Sequence, residues 1–345
     1  MLAAVKEREG PGITVRSVES PAAVGNGVLL DIIYAGICGS DLATYRWDPH
    51  KAARLAPSLP IVIGHEAIGR VVSADPALTV RFPVGARVAL EPINGCLECE
   101  QCRRGLSNLC PNAIRIGTNW QGTMAQSLRV PARACHLVPD RLSDEEGALL
   151  EVMGVAVHAA RSLKDGLAGA RTVVIGPGAI GLFLVQVLQA FGVASIALVA
   201  RSSSEWRLGL GRELGADDSF VVNDPDDIGS ALNGRFDVAF EAAGSPTAMV
   251  EAVHMTRPGG KVVGLGGYTE DLVLDYSNLA RYKGIDLVAS RARVPEDWDV
   301  MLRLVEYGKL RPGPIPIEVI PLREATKAFD RASERSVGKV LLDCR

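Results

Sequence analysis

Two groups of residues in this chain have the types and spacing for metal chemistry. Cys96, Cys99, Cys102 and Cys110 follow the pattern C-x2-C-x2-C-x7-C. A loop of that length can wrap four thiolates around one tetrahedral Zn²⁺, with Zn–S distances of about 2.3 Å. Two disulfides are the alternative, but short-range bridges in so crowded a loop would be strained and the chain has no secretory features. Four thiolates fill the coordination sphere, so this lobe is expected to be structural. The second group is sparser: Cys38 in Gly36-Ile37-Cys38-Gly39-Ser40-Asp41, His65 in Gly64-His65-Glu66, and Glu151 in Leu149-Leu150-Glu151-Val152. Singly, these read as a buried thiol, a core histidine and a helix-end carboxylate. Together with Glu66 they supply a thiolate, an imidazole and one or two carboxylates, which suits a catalytic zinc with one position open.

A third run, Gly176-Pro177-Gly178-Ala179-Ile180-Gly181, matches G-x-G-x-x-G. It follows the apolar run Thr172–Ile175 and opens the helix-like stretch Ala179–Phe191, the context that makes the pattern a dinucleotide site. Gly176 permits the tight turn, Gly178 lets a pyrophosphate approach the backbone, and Gly181 lets helix and strand pack closely. Ile180 lies in the same turn. About 20 residues on, a carboxylate would mark NAD by accepting the ribose 2′-hydroxyl. The chain reads Val199-Ala200-Arg201-Ser202-Ser203-Ser204-Glu205 there, with no carboxylate at the strand end. Arg201 can pair with a 2′-phosphate, Ser202 can donate to it, and Arg207 could assist, so NADP(H) is expected over NAD(H). Glu205 stands as the alternative, a displaced ribose ligand.

The elements that must position these residues change texture along the chain. Residues 1–145 carry short β-type runs broken by Gly and Pro, such as Gly27–Ile33, Ile61–Val72 and Ala86–Leu90. From about 146, short apolar strands alternate with helices (Ser195–Val199, Asp218–Val222, Phe236–Phe240, Lys261–Leu265), which implies right-handed βαβ units and a parallel sheet. After about 290 come a helix near Pro295–Tyr307, a Pro-rich link and a strand at Lys339–Asp343. The 345 residues suit two domains, and 48% hydrophobic with 22% charged residues is ordinary globular composition. A net charge of −3 without a basic tract gives no reason to expect nucleic acid or an anionic membrane surface. No apolar run of about 18 residues predicts a membrane span, and Met1–Arg8 does not read as a signal peptide. Seven cysteines, four of them committed to metal, suit a reducing, cytoplasmic compartment.

The ordered set of motifs, closed by Gly338-Lys-Val-Leu-Leu-Asp343, resembles the zinc-dependent medium-chain dehydrogenase/reductase family from end to end. Within it the chain is most similar to the threonine, polyol and sorbitol dehydrogenase branch, through Tyr45-Arg-Trp-Asp48 and Asn112-Ala-Ile-Arg-Ile-Gly-Thr-Asn119. The resemblance implies an α/β fold: a doubly wound Rossmann sheet over 146–290, and a GroES-like, mainly β catalytic domain over 1–145 completed by 291–345. The structural zinc lobe would span about 91–112, and the active site would lie in the cleft between the domains. Cys38, His65 and Glu151 would ligate the catalytic zinc, with Glu66 binding directly or exchanging with Glu151. Asp41 would orient His65, and Ser40 would hydrogen-bond the substrate oxygen and pass its proton outward. Leu265 to Gly267 and Ala289 to Arg291 would give backbone contacts to the nicotinamide half. Trp47 and Trp120 would lie near the cleft. Lys339 could reach the pyrophosphate or simply solvate its strand.

The implied activity is hydride transfer between NADP(H) and a secondary alcohol or ketone of a polyol, cyclitol or amino-alcohol-like small molecule. The implied assembly is a homodimer or homotetramer with two zinc ions per chain. Three departures matter, the first being that Ala200-Arg201-Ser202 breaks with the NAD preference of that branch. The relay histidine that many relatives carry after Asp41 is replaced by Leu42-Ala43-Thr44-Tyr45, so the relay would end in ribose, water or Tyr45. Glu91-Pro92-Ile93-Asn94 lacks the histidine of threonine dehydrogenases, which argues against threonine itself. A zinc-free enone or quinone reductase of the same superfamily is the rival enzyme, opposed by Cys38, His65 and Glu151. A non-catalytic NADPH-binding protein is the rival outside enzymes.

Overall fold

A computed structural model describes residues 1–22, 27–163, 166–228, 232–334 and 336–345. The chain forms two compact units, Met1–Glu151 with Ile315–Arg345, and Val152–Pro314.

The first unit is mainly β. Its largest sheet runs Cys135–Leu137, Arg87–Leu90, Glu66–Ala74, Val28–Gly36, Lys339–Asp343, Ile317–Pro321, with Ser127–Val130 also paired to Val28–Gly36. The strand Val28–Gly36 is buried at all but Asp31, as expected of a central strand. Leu30, Ile32, Ile63, Val88, Phe329 and Leu342 belong to the core that covers one face of this sheet. The apolar run expected over Ile61–Val72 is two strands, Ile61–Val62 and Glu66–Ala74. Gly64, at φ 93°, makes the break, and a Cβ there would stand 2.5 Å from Met124 Cγ. That break presents His65 and Glu66 at the start of a sheet strand.

The second unit holds a six-stranded parallel sheet in the order Asp218–Val221, Ser195–Ala200, Arg171–Ile175, Phe236–Glu241, Thr256–Gly264, Asp286–Ala289. Numbered by sequence this is the 3-2-1-4-5-6 order of a doubly wound dinucleotide fold. Its strand ends are level: Ile175 pairs with Val199 and Glu241, and Gly264 with Glu241 and Ala289. Asp286–Ala289 is a sixth strand that the alternation of runs did not reveal; three of its four residues are exposed, leaving little apolar signal. At the amino edge of this sheet Asp237 ties three neighbouring strands together through Arg171 and Arg257.

The unit border differs from the sequence expectation, which returned residues 291–314 to the first unit. Helix Pro295–Glu306 buries Trp298, Met301 and Val305. Its Asp297 accepts from His158 Nδ1 at 2.7 Å and from Arg161, and Gln186 Nε2 donates to Arg311 O at 3.1 Å. These partners all belong to the second unit.

Candidate active site

Cys38 is the N-cap of helix Gly39–Arg46, reached directly from the end of strand Val28–Gly36. Its backbone N–H donates to Asp41 Oδ2 at 2.9 Å, and the other oxygen of that carboxylate lies 3.2 Å from His65 Nδ1. One buried carboxylate therefore fixes both Cys38 and His65, and it engages Nδ1 of the His65 ring. Ser40 is half-buried in the first turn of the same helix. Burial works against charge on Asp41, but His65 and the Cys38 N–H outweigh it and hold its pKa below the usual carboxylate range. Burial likewise opposes a charged His65, and the Asp41 and Cys38 side chains override it, holding its pKa well above 6.5.

One ligand atom each from Cys38, His65 and Glu66 lies within 4.8 Å of the others. A thiolate, an imidazole nitrogen and a carboxylate at such spacing fit zinc, and Asp41 on the far ring nitrogen is the usual support of a metal-bound imidazole. Glu151 stands at the start of helix Leu150–Arg161 and is buried, but is not one of the three that converge. Its charge still reaches Glu66, whose carboxyl is pushed up by burial, pulled back by Lys339 and pushed up again by Glu151. Lys339 is the residue the sequence misplaced. It is buried with Nζ 2.7 Å from Glu66 Oε1 and does not solvate its strand. The partners are 273 positions apart, and only the antiparallel pairing of both their strands with Val28–Gly36 brings them together.

Tyr45 does not continue a relay from Ser40. Its ring stacks on Phe329 at 4.9 Å and its hydroxyl donates to Asp330 at 3.3 Å. Trp47, at φ 66°, packs beneath the Lys6 ammonium. Trp120 Nε1 donates to Arg129 O at 3.1 Å, and its ring lines a cavity with Val18, Pro60 and Gln121. None of the three metal-site residues lines that cavity.

The four-cysteine lobe has all its thiols free and convergent. Cys99 Sγ and Cys110 Sγ are 3.7 Å apart. That is too long for a disulfide, and it is close to the edge of a ZnS4 tetrahedron, about 3.8 Å for Zn–S of about 2.3 Å. Backbone N–H groups of Glu98 and Cys99 lower the Cys96 thiol to about 6, while burial raises Cys102 to about 12. Four thiols that converge within 4.8 Å form a set that a divalent cation would complete.

In the second unit, Gly176 has φ 103° and a Cβ there would stand 2.7 Å from Ala243 Cα. A Cβ on Gly181 would meet Gly176 O at 1.9 Å. Gly178, the N-cap of helix Ala179–Ala190, has nothing within 4 Å of that position. Two glycines are thus needed by the fold itself, and the third borders open space at a helix N-terminus, which fits a pyrophosphate. Leu265 and Arg291 follow the ends of adjacent strands on this same carboxyl edge. Glu241, fully buried, braces that edge; it accepts from Ala243 N, Gly244 N and Tyr268 Oη. Arg201 departs from expectation: its guanidinium donates to Glu251 Oε1 at 2.7 Å and to the Val222 carbonyl. Ser202 is exposed, its N–H donating to Asn223 Oδ1.

Residues 25–140 match the alcohol dehydrogenase GroES-like domain, and residues 179–307 match the zinc-binding dehydrogenase model. The chain belongs to the zinc-dependent medium-chain dehydrogenase/reductase family. This dehydrogenase is 31% identical to D-arabitol-phosphate dehydrogenase of Enterococcus avium over 94% of its own length and 91% of the relative's. It is 30% identical to L-threonine 3-dehydrogenase of Idiomarina loihiensis over 99% of each chain. The solved structure of L-idonate 5-dehydrogenase from Escherichia coli superposes with a TM-score of 0.86 at 27% identity, covering 99% of this chain and 97% of that one. The dehydrogenase is accordingly an enzyme acting on CH–OH groups of small molecules. Among the described residues, no helix is long and apolar enough to cross a membrane.

Proposed function

We propose that this dehydrogenase interconverts a secondary alcohol and its ketone in a polyol, cyclitol or amino-alcohol-like substrate, using NADP(H). The observation that carries the reading is the convergence of Cys38, His65 and Glu66 around one point, with Asp41 bound to His65 Nδ1. Relatives that act on D-arabitol phosphate, L-threonine and L-idonate support the substrate class.

Cys38, His65 and one of the carboxylates Glu66 and Glu151 hold a catalytic zinc, and Cys96, Cys99, Cys102 and Cys110 hold a structural one, giving two per chain. When bound, the catalytic zinc supplies Lewis-acid polarisation of the substrate oxygen, and the nicotinamide supplies or accepts the hydride. The protein's own residues position and move the proton. Asp41 fixes the His65 ring, and Ser40 hydrogen-bonds the substrate oxygen and passes its proton outward along a path that does not include Tyr45, which is engaged elsewhere. Lys339 balances the Glu66 charge beside the ligands. Gly176, Gly178, Ile180 and Gly181 cradle the pyrophosphate. The missing carboxylate after strand Ser195–Ala200, with Arg201 and Ser202 in its place, supports the 2′-phosphate.

Purified enzyme assayed on panels of secondary alcohols and ketones tests this through nicotinamide absorbance, before and after chelation. Activity should depend on the catalytic zinc and run better with NADPH than NADH. Full turnover with that zinc demonstrably removed would overturn the mechanism. Arg201→Ala should weaken NADPH more than NADH, and equal effects would overturn the cofactor assignment.

A further inference from the structure

Arg201 is not a lone cation awaiting a phosphate. It stands directly after strand Ser195–Ala200, with about a third of its side chain exposed. One arm of the guanidinium donates to the Val222 carbonyl, beyond the neighbouring strand, and the other to Glu251 Oε1. Glu251 lies on helix Pro246–Met255 with a side chain at 0% exposure. Its second oxygen, Oε2, is buried without a hydrogen-bond partner among the described residues. Asp224 and Asp227 add negative charge close enough to act on Glu251. The charge of Arg201 is therefore largely spent inside the protein. An approaching 2′-phosphate meets a guanidinium already neutralised, with a carboxylate behind it. Drawing Arg201 away would strand a fully buried carboxylate, which is strongly unfavourable. Arginine has five N–H donors, so its exposed edge can still face a ligand while the pair stays closed.

We propose that Glu251 is a specificity-determining residue for the cofactor: by holding Arg201 in a neutral pair, it limits the preference for the 2′-phosphate over the 2′-hydroxyl. The enzyme would then use both nicotinamide cofactors, with a bias toward NADPH far smaller than a free arginine would give. The proposal rests on the assignment of Arg201 to the 2′-phosphate.

The test is direct binding, read by cofactor fluorescence for NADPH and NADH and by calorimetry for 2′,5′-ADP against 5′-ADP. Glu251→Gln keeps the shape and an acceptor for Arg201 but removes the charge. It should shift the affinity ratio toward the 2′-phosphorylated ligand by about tenfold, a factor that corresponds to about 1.4 kcal/mol. In the double variant Arg201→Ala/Glu251→Gln that gain should vanish. If Glu251→Gln does not fold, Glu251→Met removes the same charge and carries the same expectation. An unchanged ratio, a shift toward NADH, or a gain that persists without Arg201 would each overturn the proposal. Arg201→Ala alone reports on the underlying assignment. If it weakens NADPH while Glu251→Gln changes nothing, the assignment stands and the role of Glu251 falls. If it does not weaken NADPH, the assignment itself falls.

Discussion

Lys339 Nζ sits 2.7 Å from Glu66 Oε1, and both side chains are closed off from solvent beside a candidate metal ligand set. Gly36 runs alongside the pair: a Cβ there would stand 2.2 Å from Glu66 Oε2 and 3.2 Å from Lys339 Cε. The absence of a side chain at position 36 is what lets the ion pair form inside the sheet.

Lys339→Met leaves the buried Glu66 carboxyl without its ammonium partner. Removing one partner of such a pair costs about 3–5 kcal/mol, so urea unfolding should register a loss of that size. The double variant Lys339→Met/Glu66→Gln should recover much of it. Equal losses in the single and double variants would mean the ammonium contributes packing and not charge balance.

Asp41→Asn keeps the shape of the link between Cys38 and His65 but gives up its charge. Loss of a supporting partner to a metal-bound imidazole weakens metal affinity by about 10–100-fold. Competition with a chromophoric chelator should show that loss for one zinc per chain only. The zinc assigned to the four cysteines should be retained.

The dinucleotide turn separates binding from folding. Gly178→Ala meets nothing within 4 Å in the protein, so its unfolding midpoint should match that of the parent, while cofactor affinity falls by about tenfold or more as the methyl enters the phosphate space. Gly181→Ala would put its Cβ 1.9 Å from Gly176 O, and should cost about 1–3 kcal/mol of stability before any ligand is added. Similar unfolding behaviour for the two variants would contradict the geometry.

Asp237 joins Arg171 and Arg257, whose hydrogen bonds hold its carboxyl well below the ordinary range despite partial burial. A carboxylate depressed in the folded state stabilises above its unfolded pKa of about 3.9, and that stabilisation fades as pH falls toward the folded value. Both arginines are more than a third exposed, so solvent screening limits the effect to about 1 kcal/mol. Asp237→Asn should unfold earlier than the parent in urea at neutral pH. The gap should narrow once the pH drops below about 4.

The motifs read from sequence were those whose physics is local. The cysteine lobe closes within fifteen residues, Cys96 to Cys110, so its spacing carried it, and the glycine turn closes within six, where the apolar run before it and the helix-like stretch after it gave the pattern its meaning. Cys38 was legible by its residue type and Asp41 only through the family resemblance, while the bond from the Cys38 N–H to Asp41 emerged from the structure. Lys339 and Glu66 were not, because no local pattern couples residues on strands that meet only by way of a third. Arg201 was read by its charge and position. What it missed was Glu251, fifty positions on and buried, which decides how much of that charge is available. Strand Asp286–Ala289 escaped notice because its exposure removes the apolar run by which a strand is recognised.

The first unit is built from two stretches of chain separated by Val152–Pro314. On a ribosome, Glu66 emerges 273 residues before Lys339, a wait of roughly 14 to 55 s at about 5–20 residues per second. Through that interval the nascent chain carries a carboxylate beside Cys38 and His65 with its cation still unmade. The whole inserted unit emerges in the same interval. A zinc ion captured early would meet an acidic, unbalanced pocket, and only translation of the closing strand gives that pocket its working charge.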